Sequence, residues 1–283
     1  MEIIRTVKEI QNISDNIRKS NKTIACVPTM GYLHEGHLSL VKIGKTKADY
    51  VITTLFVNPT QFAPNEDFDK YPRDLERDSK LLSDAGSDFL FVPSANEIYP
   101  NGYDTEINIK GISQSYEGLF RPIHFNGVAT VVAKLFNSTK PHYGIFGQKD
   151  FQQSLVIKQL VRDMLFDIEI VVAPIVRETD GLARSSRNIY LSQEERKLAP
   201  TLNLAIHQAT KAIENGERNR LAINEIMKNY IENTKAFKID YASSADATNL
   251  SEPDFFESGQ EIVLLIAAYL GKTRLIDNNI IKI

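Results

Sequence analysis

A chain of 283 residues with 42% hydrophobic and 24% charged side chains carries enough apolar material for one large or two ordinary domains, which excludes a disordered or fibrous protein. Its formal net charge of −3 argues against a general electrostatic grip on nucleic acid, so any bound anion must be gripped by a local set of donors. Cys26 is the only cysteine, which excludes an intrachain disulfide and fits a reducing, cytoplasmic setting.

The opening MEIIRTVKEIQ alternates apolar and charged residues without a signal-peptide core. The longest apolar stretch, 262–270, is too short to span a bilayer, so a soluble chain without a membrane partner is expected. Strands are predicted at 23–27, 50–57, 88–92, 142–146 and 168–172, each short, rich in β-branched or aromatic residues and bounded by Gly, Pro or Asn. Helical patterns at 126–137 and 151–164 lie among them. Strands alternating with helices predict an α/β fold, a Rossmann-like, doubly wound parallel sheet over 1–175. Ligands of such sheets bind beyond the carboxyl ends of the strands. Past residue 175 two long helical stretches, 193–215 and 220–234, precede strand-like runs at 238–242 and 261–268. They predict a second, smaller α+β domain over 176–283, with Ser192 and Glu195 as a capping pair.

The loops after the strands carry the polar groups. The first strand runs into PTMGYLHEGHLSLV, which places His34 and His37 in the first turn of a helix. Free amides and a partial positive charge make that a seat for phosphate, and Gly36 allows close backbone approach. Two imidazoles there can donate hydrogen bonds to a developing phosphoryl charge. The same HxxH spacing suits a metal or two ordinary histidines, but no Cys or His cluster supplies further ligands. Asn58 and Gln61 flank Pro59 after the second strand, as amides for a polar substrate or as turn chemistry. Lys149 and Asp150 follow a later strand: a mobile cation for phosphates or a surface lysine, and a ribose partner or a helix cap. Ser185 and Arg187 in SSRN suit phosphate oxygens, or form a polar loop. Asp74 and Asp78 share a helix face and suit Mg²⁺ through water, or a solvated acidic face. Glu117 and Arg121 are spaced for an ion pair bordering the site, or Arg121 serves a dimer interface.

Strand–PTMGxLHxGH resembles the HIGH signature of nucleotidyltransferases and class I aminoacyl-tRNA synthetases. The fuller wording PTMGxLHxGHxxLV resembles the pantothenate synthetase (pantoate–β-alanine ligase) family. FVNPTQF, KYPRDLERD, RPIHFNGVATVVAKLFN, FGQKDFQQ, GLARSSRNIYL and TRLIDN follow in the family's order along nearly the whole chain. The resemblance implies an ATP-dependent ligase that activates D-pantoate as an enzyme-bound adenylate and passes it to β-alanine, with Mg²⁺, as a homodimer. It assigns His34, His37, Lys149, Ser185 and Arg187 to catalysis. It places Pro28, Met30, Gly31, Gly36, Gly147, Asp150 and Val176 with them around ATP. Gln61, Gln153, Asn58 and Met30 are assigned to pantoate, Asp78 to the metal, and the C-terminal domain to a lid. Tyr32, Ile123 and Arg184 depart from the family's usual residues. Ile123 replaces a glycine, which puts that loop's conformation in question, and Arg184 adds charge near the nucleotide.

Overall fold

Parallel strands buried on both faces read as continuous apolar runs, and IACVPT and YVITTL form the centre of the main sheet for that reason. The computed structural model describes residues 1–64 and 66–283. Its first unit comprises 1–148 and 152–174. The elements run β1 (Glu2–Ile4), α1 (Val7–Lys19), β2 (Ile24–Thr29), α2 (Glu35–Lys47), β3 (Tyr50–Leu55), α3 (Leu75–Ala85) and β4 (Phe89–Phe91). Two short helices follow, α4 (Ala95–Ile98) and α5 (Glu117–Phe120), then α6 (His124–Thr139), β5 (Tyr143–Gly147), α7 (Phe151–Asp163) and β6 (Glu169–Ala173). All six strands are parallel, in the order β1-β4-β3-β2-β5-β6.

Alternate strand residues feed two cores, one on each face of the sheet. Ile24, Ile52, Phe91 and Phe146 pack with α1, α6 and α7 through Ile10, Ile17, Val132, Phe136 and Ile157. Ala25, Val27, Val51, Leu90 and Ile145 pack with α2 and α3 through Leu38, Val41 and Leu82. Cys26 lies fully buried in β2, and loss of solvent pushes its thiol pKa up to about 12, so it is inert as a nucleophile.

Chain order reverses between β2 and β5, the position where doubly wound sheets bind ligands. The sequence sharpens that switch point. Pro28 has no amide hydrogen to give a ladder, and β2 pairs with β5 only at Ala25↔Tyr143 and Cys26↔Gly144. On its other side β2 stays paired with β3 through Thr29↔Leu55. Three loops therefore leave the same sheet end from neighbouring strands: Met30 to His34 after β2, Asn58 to Gln61 after β3, and the segment after Gly147.

The second unit comprises 149–151 and 175–283. It contains α8 (Gln193–Leu198), α9 (Thr201–Glu214), α10 (Arg220–Glu232) and the strands β7 (Phe237–Asp246), β8 (Glu261–Leu270) and β9 (Thr273–Lys282). These strands form an antiparallel sheet in sequence order. Ile262, Leu264, Ile266 and Ala268 of β8 face Leu202, Ile206, Ile213, Ile223 and Met227 of the helices.

The single helix expected over 193–215 is two, because Pro200 cannot donate to the turn before it and separates α8 from α9. The Ser192–Glu195 capping box is formed. Strands β1 and β9 and helix α1 add to the sequence expectation. Among the described residues no helix is long and apolar enough to cross a membrane.

Candidate active site

Gly31 (φ 87°) and Tyr32 (φ 50°) both take left-handed backbone, which folds the chain sharply off the end of β2. Asp78, buried on α3, holds that turn. Its two oxygens accept from the amides of Tyr32 (2.6 Å) and Leu33 (2.9 Å). Arg77 donates to the Leu33 carbonyl (2.8 Å), pairs with Asp78 (3.1 Å) and lies over the Tyr32 ring at 5.0 Å. The aromatic departure at position 32 thus gains a cation–π partner. A Cβ on Gly31 would sit 3.3 Å from an Asp78 oxygen, so glycine suits both the φ and the space.

The turn delivers His34 as the N-cap of α2. Its Nδ1 accepts from the Gly36 amide (3.1 Å), while His37 Nδ1 accepts from the His34 amide (3.3 Å). This is a capping box written with imidazoles. A ring nitrogen that accepts carries no proton in the neutral ring, so each imidazole holds its proton on Nε2. The rings lie 4.1 Å apart. Gly36 is needed for this geometry, because a Cβ there would fall 2.8 Å from the His34 ring. Two Nε2–H donors stand at a helix N-terminus with its own positive end, as phosphate recognition requires.

The metal expectation for Asp78 meets a different geometry. Both of its oxygens are occupied by backbone amides, and Asp74 is the α3 N-cap, accepting from the Arg77 amide (3.0 Å). Among the described residues no group of three or more His, Cys, Asp or Glu is placed to hold a metal ion. These carboxylates do not fit a magnesium site.

After β3, Asn58 to Gln61 form a short 3₁₀ turn against α6. Asn58, almost fully buried, donates from Nδ2 to Gln61 Oε1 and to the Gly127 carbonyl, both 3.1 Å. Its Oδ1 accepts from Tyr99 (2.7 Å) and Thr60 (3.1 Å). Gln61 Nε2 donates to Met30 Sδ at 3.2 Å. The side-chain groups of Asn58 are thus spent inside the protein, and Gln61 is buried beside it with both ends of its amide engaged. Gln153 is half-buried in the first turn of α7. A Cβ at Gly147 would meet no atom within 4 Å, so the end of β5 borders open space.

The Gln61 carbonyl is fixed from behind. His124 Nδ1 donates to it (3.1 Å) and His124 Nε2 accepts from Arg121 (3.3 Å). Arg121 takes Glu66, not the expected Glu117, as its carboxylate, through two bonds of 2.7 Å. Glu66 lies 55 residues away, beyond any spacing argument. Burial raises the Glu66 carboxyl, but the Arg121 bonds outweigh it and leave the pKa lowered. Burial and then the Arg121 charge push His124 down to about 4 from 6.5. Its sign is clear: below pH 6.5 the unfolded chain binds a proton at His124 that the folded chain refuses until about pH 4. Stability falls across that window, by roughly 3 kcal/mol at ~1.36 kcal/mol per pH unit. Denaturant titrations at pH 7 and pH 4.5 will show this loss, and His124→Gln will flatten it.

Ile123 adopts φ −93°, backbone open to any residue, so replacing the family's glycine leaves the start of α6 in ordinary geometry.

In the second unit, Lys149 and Asp150 occupy a 3₁₀ turn (Gln148–Asp150) with Nζ 3.9 Å from the carboxylate. The Lys149 carbonyl accepts from Asn278 of β9 (2.9 Å). Ser185 caps the 3₁₀ turn Ser186–Tyr190, accepting from the Arg187 amide (3.2 Å). The Val176 carbonyl accepts from the Arg184 amide (2.9 Å), which closes 176–184 into a narrow loop. Arg184 is paired with Glu178 (3.1 Å), so much of its extra charge is spent within the loop. Arg177 anchors the whole: it binds Asp277 through two bonds (2.7 and 2.9 Å), the Gly181 carbonyl and the Asn278 carbonyl. Asp277 and Asn278 lie in TRLIDN, the motif to which sequence reasoning gave no role. Their signal was a charge followed by an amide between the apolar pairs Leu275–Ile276 and Ile280–Ile281.

The chain matches the pantoate-β-alanine ligase family over residues 2–280. It is 47% identical over 283 residues to a pantothenate synthetase of Acetivibrio thermocellus, covering 100% of both chains. It is 48% identical over 280 residues to one of Chloroherpeton thalassium, covering 98% of each. A crystal structure of pantothenate synthetase from Thermus thermophilus is similar at a TM-score of 0.92 and 40% identity, with 99% of each chain covered. A pantoate-β-alanine ligase from Francisella tularensis, complexed with β,γ-ATP and β-alanine, is similar at a TM-score of 0.79 and 35% identity, with 99% and 97% covered.

Proposed function

The chain belongs to the pantoate-β-alanine ligase family, and from that premise we propose how its residues divide the work. The enzyme condenses D-pantoate with β-alanine, using ATP and releasing AMP and pyrophosphate. A carboxylate cannot acylate an amine directly, because the leaving group would be an oxide. ATP removes that obstacle. A pantoate carboxylate oxygen attacks the α-phosphorus, the bond to the bridging oxygen breaks, and pyrophosphate leaves. The β-alanine nitrogen then attacks the acyl carbon, the acyl C–O bond breaks, AMP leaves with that oxygen, and the nitrogen gives up its proton.

The observation that carries the residue reading is the imidazole capping box at the start of α2. It fixes Nε2–H on both His34 and His37, and these donors stabilise the charge gathering on the α-phosphoryl oxygens. In the second unit Lys149, Ser185 and Arg187 supply two cations and a hydroxyl for the phosphates. By the family resemblance Asp150 takes the ribose, and Pro28, Met30, Gly31, Gly147 and Val176 are assigned to ATP. Gln61 and Gln153 hold pantoate. Magnesium enters as the ATP complex, a substrate ion without a carboxylate cage of its own. A homodimer in the cytoplasm, with 176–283 as the lid, rests on the family resemblance, and the single buried thiol agrees with a reducing compartment.

The test is pyrophosphate release from MgATP with D-pantoate, run with and without β-alanine. Release that requires pantoate, with AMP and pantothenate accumulating only when β-alanine is added, is the expected result. Release indifferent to pantoate but dependent on a phosphorylated acceptor would make this a nucleotidyltransferase.

A further inference from the structure

We propose that the Gly127 carbonyl, acting through Asn58, fixes the Gln61 side-chain amide so that it offers an N–H to the bound hydroxy acid and thereby selects an acceptor oxygen at that position. The proposal rests on the assignment of Gln61 to the acid substrate, and goes beyond it by naming what orients the amide.

An amide can present either end, and a substrate site that must tell a lone pair from a donor has to prevent the flip. The starting point here is a group with no alternative. A backbone carbonyl only accepts, so Gly127 O demands the NH₂ end of Asn58 (3.1 Å). Tyr99 and Thr60, donating at 2.7 and 3.1 Å, occupy the other end and agree with that choice. With Nδ2 fixed, its second hydrogen requires an acceptor, and Gln61 Oε1 supplies it at 3.1 Å. The Gln61 NH₂ must then point away from Asn58, toward Met30 Sδ.

A thioether is a weak acceptor, and Gln61 is buried, so an amide donor satisfied by sulfur is a donor held for something better. A hydroxyl or carboxylate oxygen of the substrate would replace the sulfur and gain the full bond. Gly127 is part of the device. A Cβ there would lie 2.5 Å from the Thr60 carbonyl, so only glycine lets the helix backbone approach the 59–61 turn closely enough for its carbonyl to reach Asn58. Asn58 and Tyr99 are positioning residues in this scheme, and Gln61 is the reader.

Asn58→Asp is the sharpest test, because it keeps the shape and removes the donor. The new carboxylate accepts from Gln61 Nε2, turns the amide over and presents Oε1 to the substrate. The Km for pantoate should rise about 10- to 100-fold, the loss of one good hydrogen bond plus a lone-pair conflict. The Km for ATP should stay within about threefold. Preference for pantoate over its 2-deoxy analogue should shrink with it. Tyr99→Phe keeps the ring and loses one orienting donor, so it should give a smaller rise of the same kind. This variant also keeps the test decisive should Asn58→Asp fail to fold. Parallel increases in both Km values, or an unchanged pantoate Km in folded Asn58→Asp or Tyr99→Phe, would overturn the proposal. Pantoate-dependent pyrophosphate release by the unaltered enzyme separates the two levels. Its absence defeats the functional reading itself, whereas its presence with unaltered variant kinetics defeats only the orienting device.

Discussion

His37→Gln will fold normally and form the pantoyl-adenylate roughly 10²- to 10³-fold more slowly than the unaltered enzyme. The substitution is chosen for what it keeps. Position 37 is the third residue of α2, where glutamine is a natural partner in a capping box, able to reach back to the N-cap amide. His34→Asn is its companion, since asparagine is among the best N-cap residues and can accept from the Gly36 amide as His34 Nδ1 does. Both variants retain the hydrogen bonds that start the helix and discard the Nε2–H donor. Stability should therefore stay within about 1 kcal/mol, the range of a good cap exchanged for another. The rate should fall by far more than that difference can explain. Single-turnover formation of the adenylate, measured with thermal unfolding on the same samples, separates the two effects. Turnover within about threefold of the unaltered enzyme in either folded variant would reduce the imidazoles to capping residues and remove them from the chemistry.

The parts of this architecture legible in the sequence are those with local causes. The central strands were readable because burial on both faces leaves 24–29 and 50–55 with apolar or β-branched residues and no charge. His34 and His37 were readable because a strand, a glycine turn and a helix start follow one another within a few residues. What escaped depends on partners far away in the chain. β1 is three residues long and finds its place only by pairing with β4, almost ninety positions on. α1 hides an apolar stripe of Ile10 and Ile17 in a polar sequence, although Thr6 and Glu9 spell a capping box. β9 carries Asp277 into a buried position, which reads as a break in a strand until Arg177 is seen to neutralise it from 100 residues away. Arg121 likewise found Glu66 rather than the neighbour on its own segment. Spacing within a helix predicts contacts along that helix, and says little about which distant carboxylate a guanidinium meets.

Asp78 gives the second large effect, and it tests whether this carboxylate serves a metal or a backbone turn. Asp78→Ala should cost about 3–5 kcal/mol of stability, since it leaves the Tyr32 and Leu33 amides and part of the Arg77 charge without their buried partner. Asp78→Asn keeps the shape but turns an NH₂ group toward one of the two amides, which should cost about 1–3 kcal/mol and leave a folded enzyme. In that enzyme the Gly31–Tyr32 turn, with Tyr32 held in left-handed backbone, loses half its restraint, and the N-cap His34 two residues later loses its placement. Adenylate formation should fall about 10²-fold, the usual consequence of misplacing a reacting group by an ångström. Magnesium decides between the readings. A metal ligand lost at Asp78 would raise the Mg²⁺ concentration needed for half-maximal rate, and excess Mg²⁺ would restore activity. An anchoring residue predicts an unchanged Mg²⁺ dependence and no rescue. Acid should lower the rate as the amide substitution does, without its loss of stability. Burial holds the Asp78 pKa above the ordinary carboxylate value, against the pull of the Leu33 and Tyr32 amides. A raised native pKa means that the folded chain takes this proton before the unfolded chain does as pH falls. Asp78 therefore does not drive acid unfolding. Protonation instead turns one acceptor oxygen into a hydroxyl facing an amide, so adenylation should weaken in mild acid, with stability at this group unharmed. Rescue of Asp78→Asn by Mg²⁺ would return the carboxylate to the metal and leave the turn to be held by Arg77 alone.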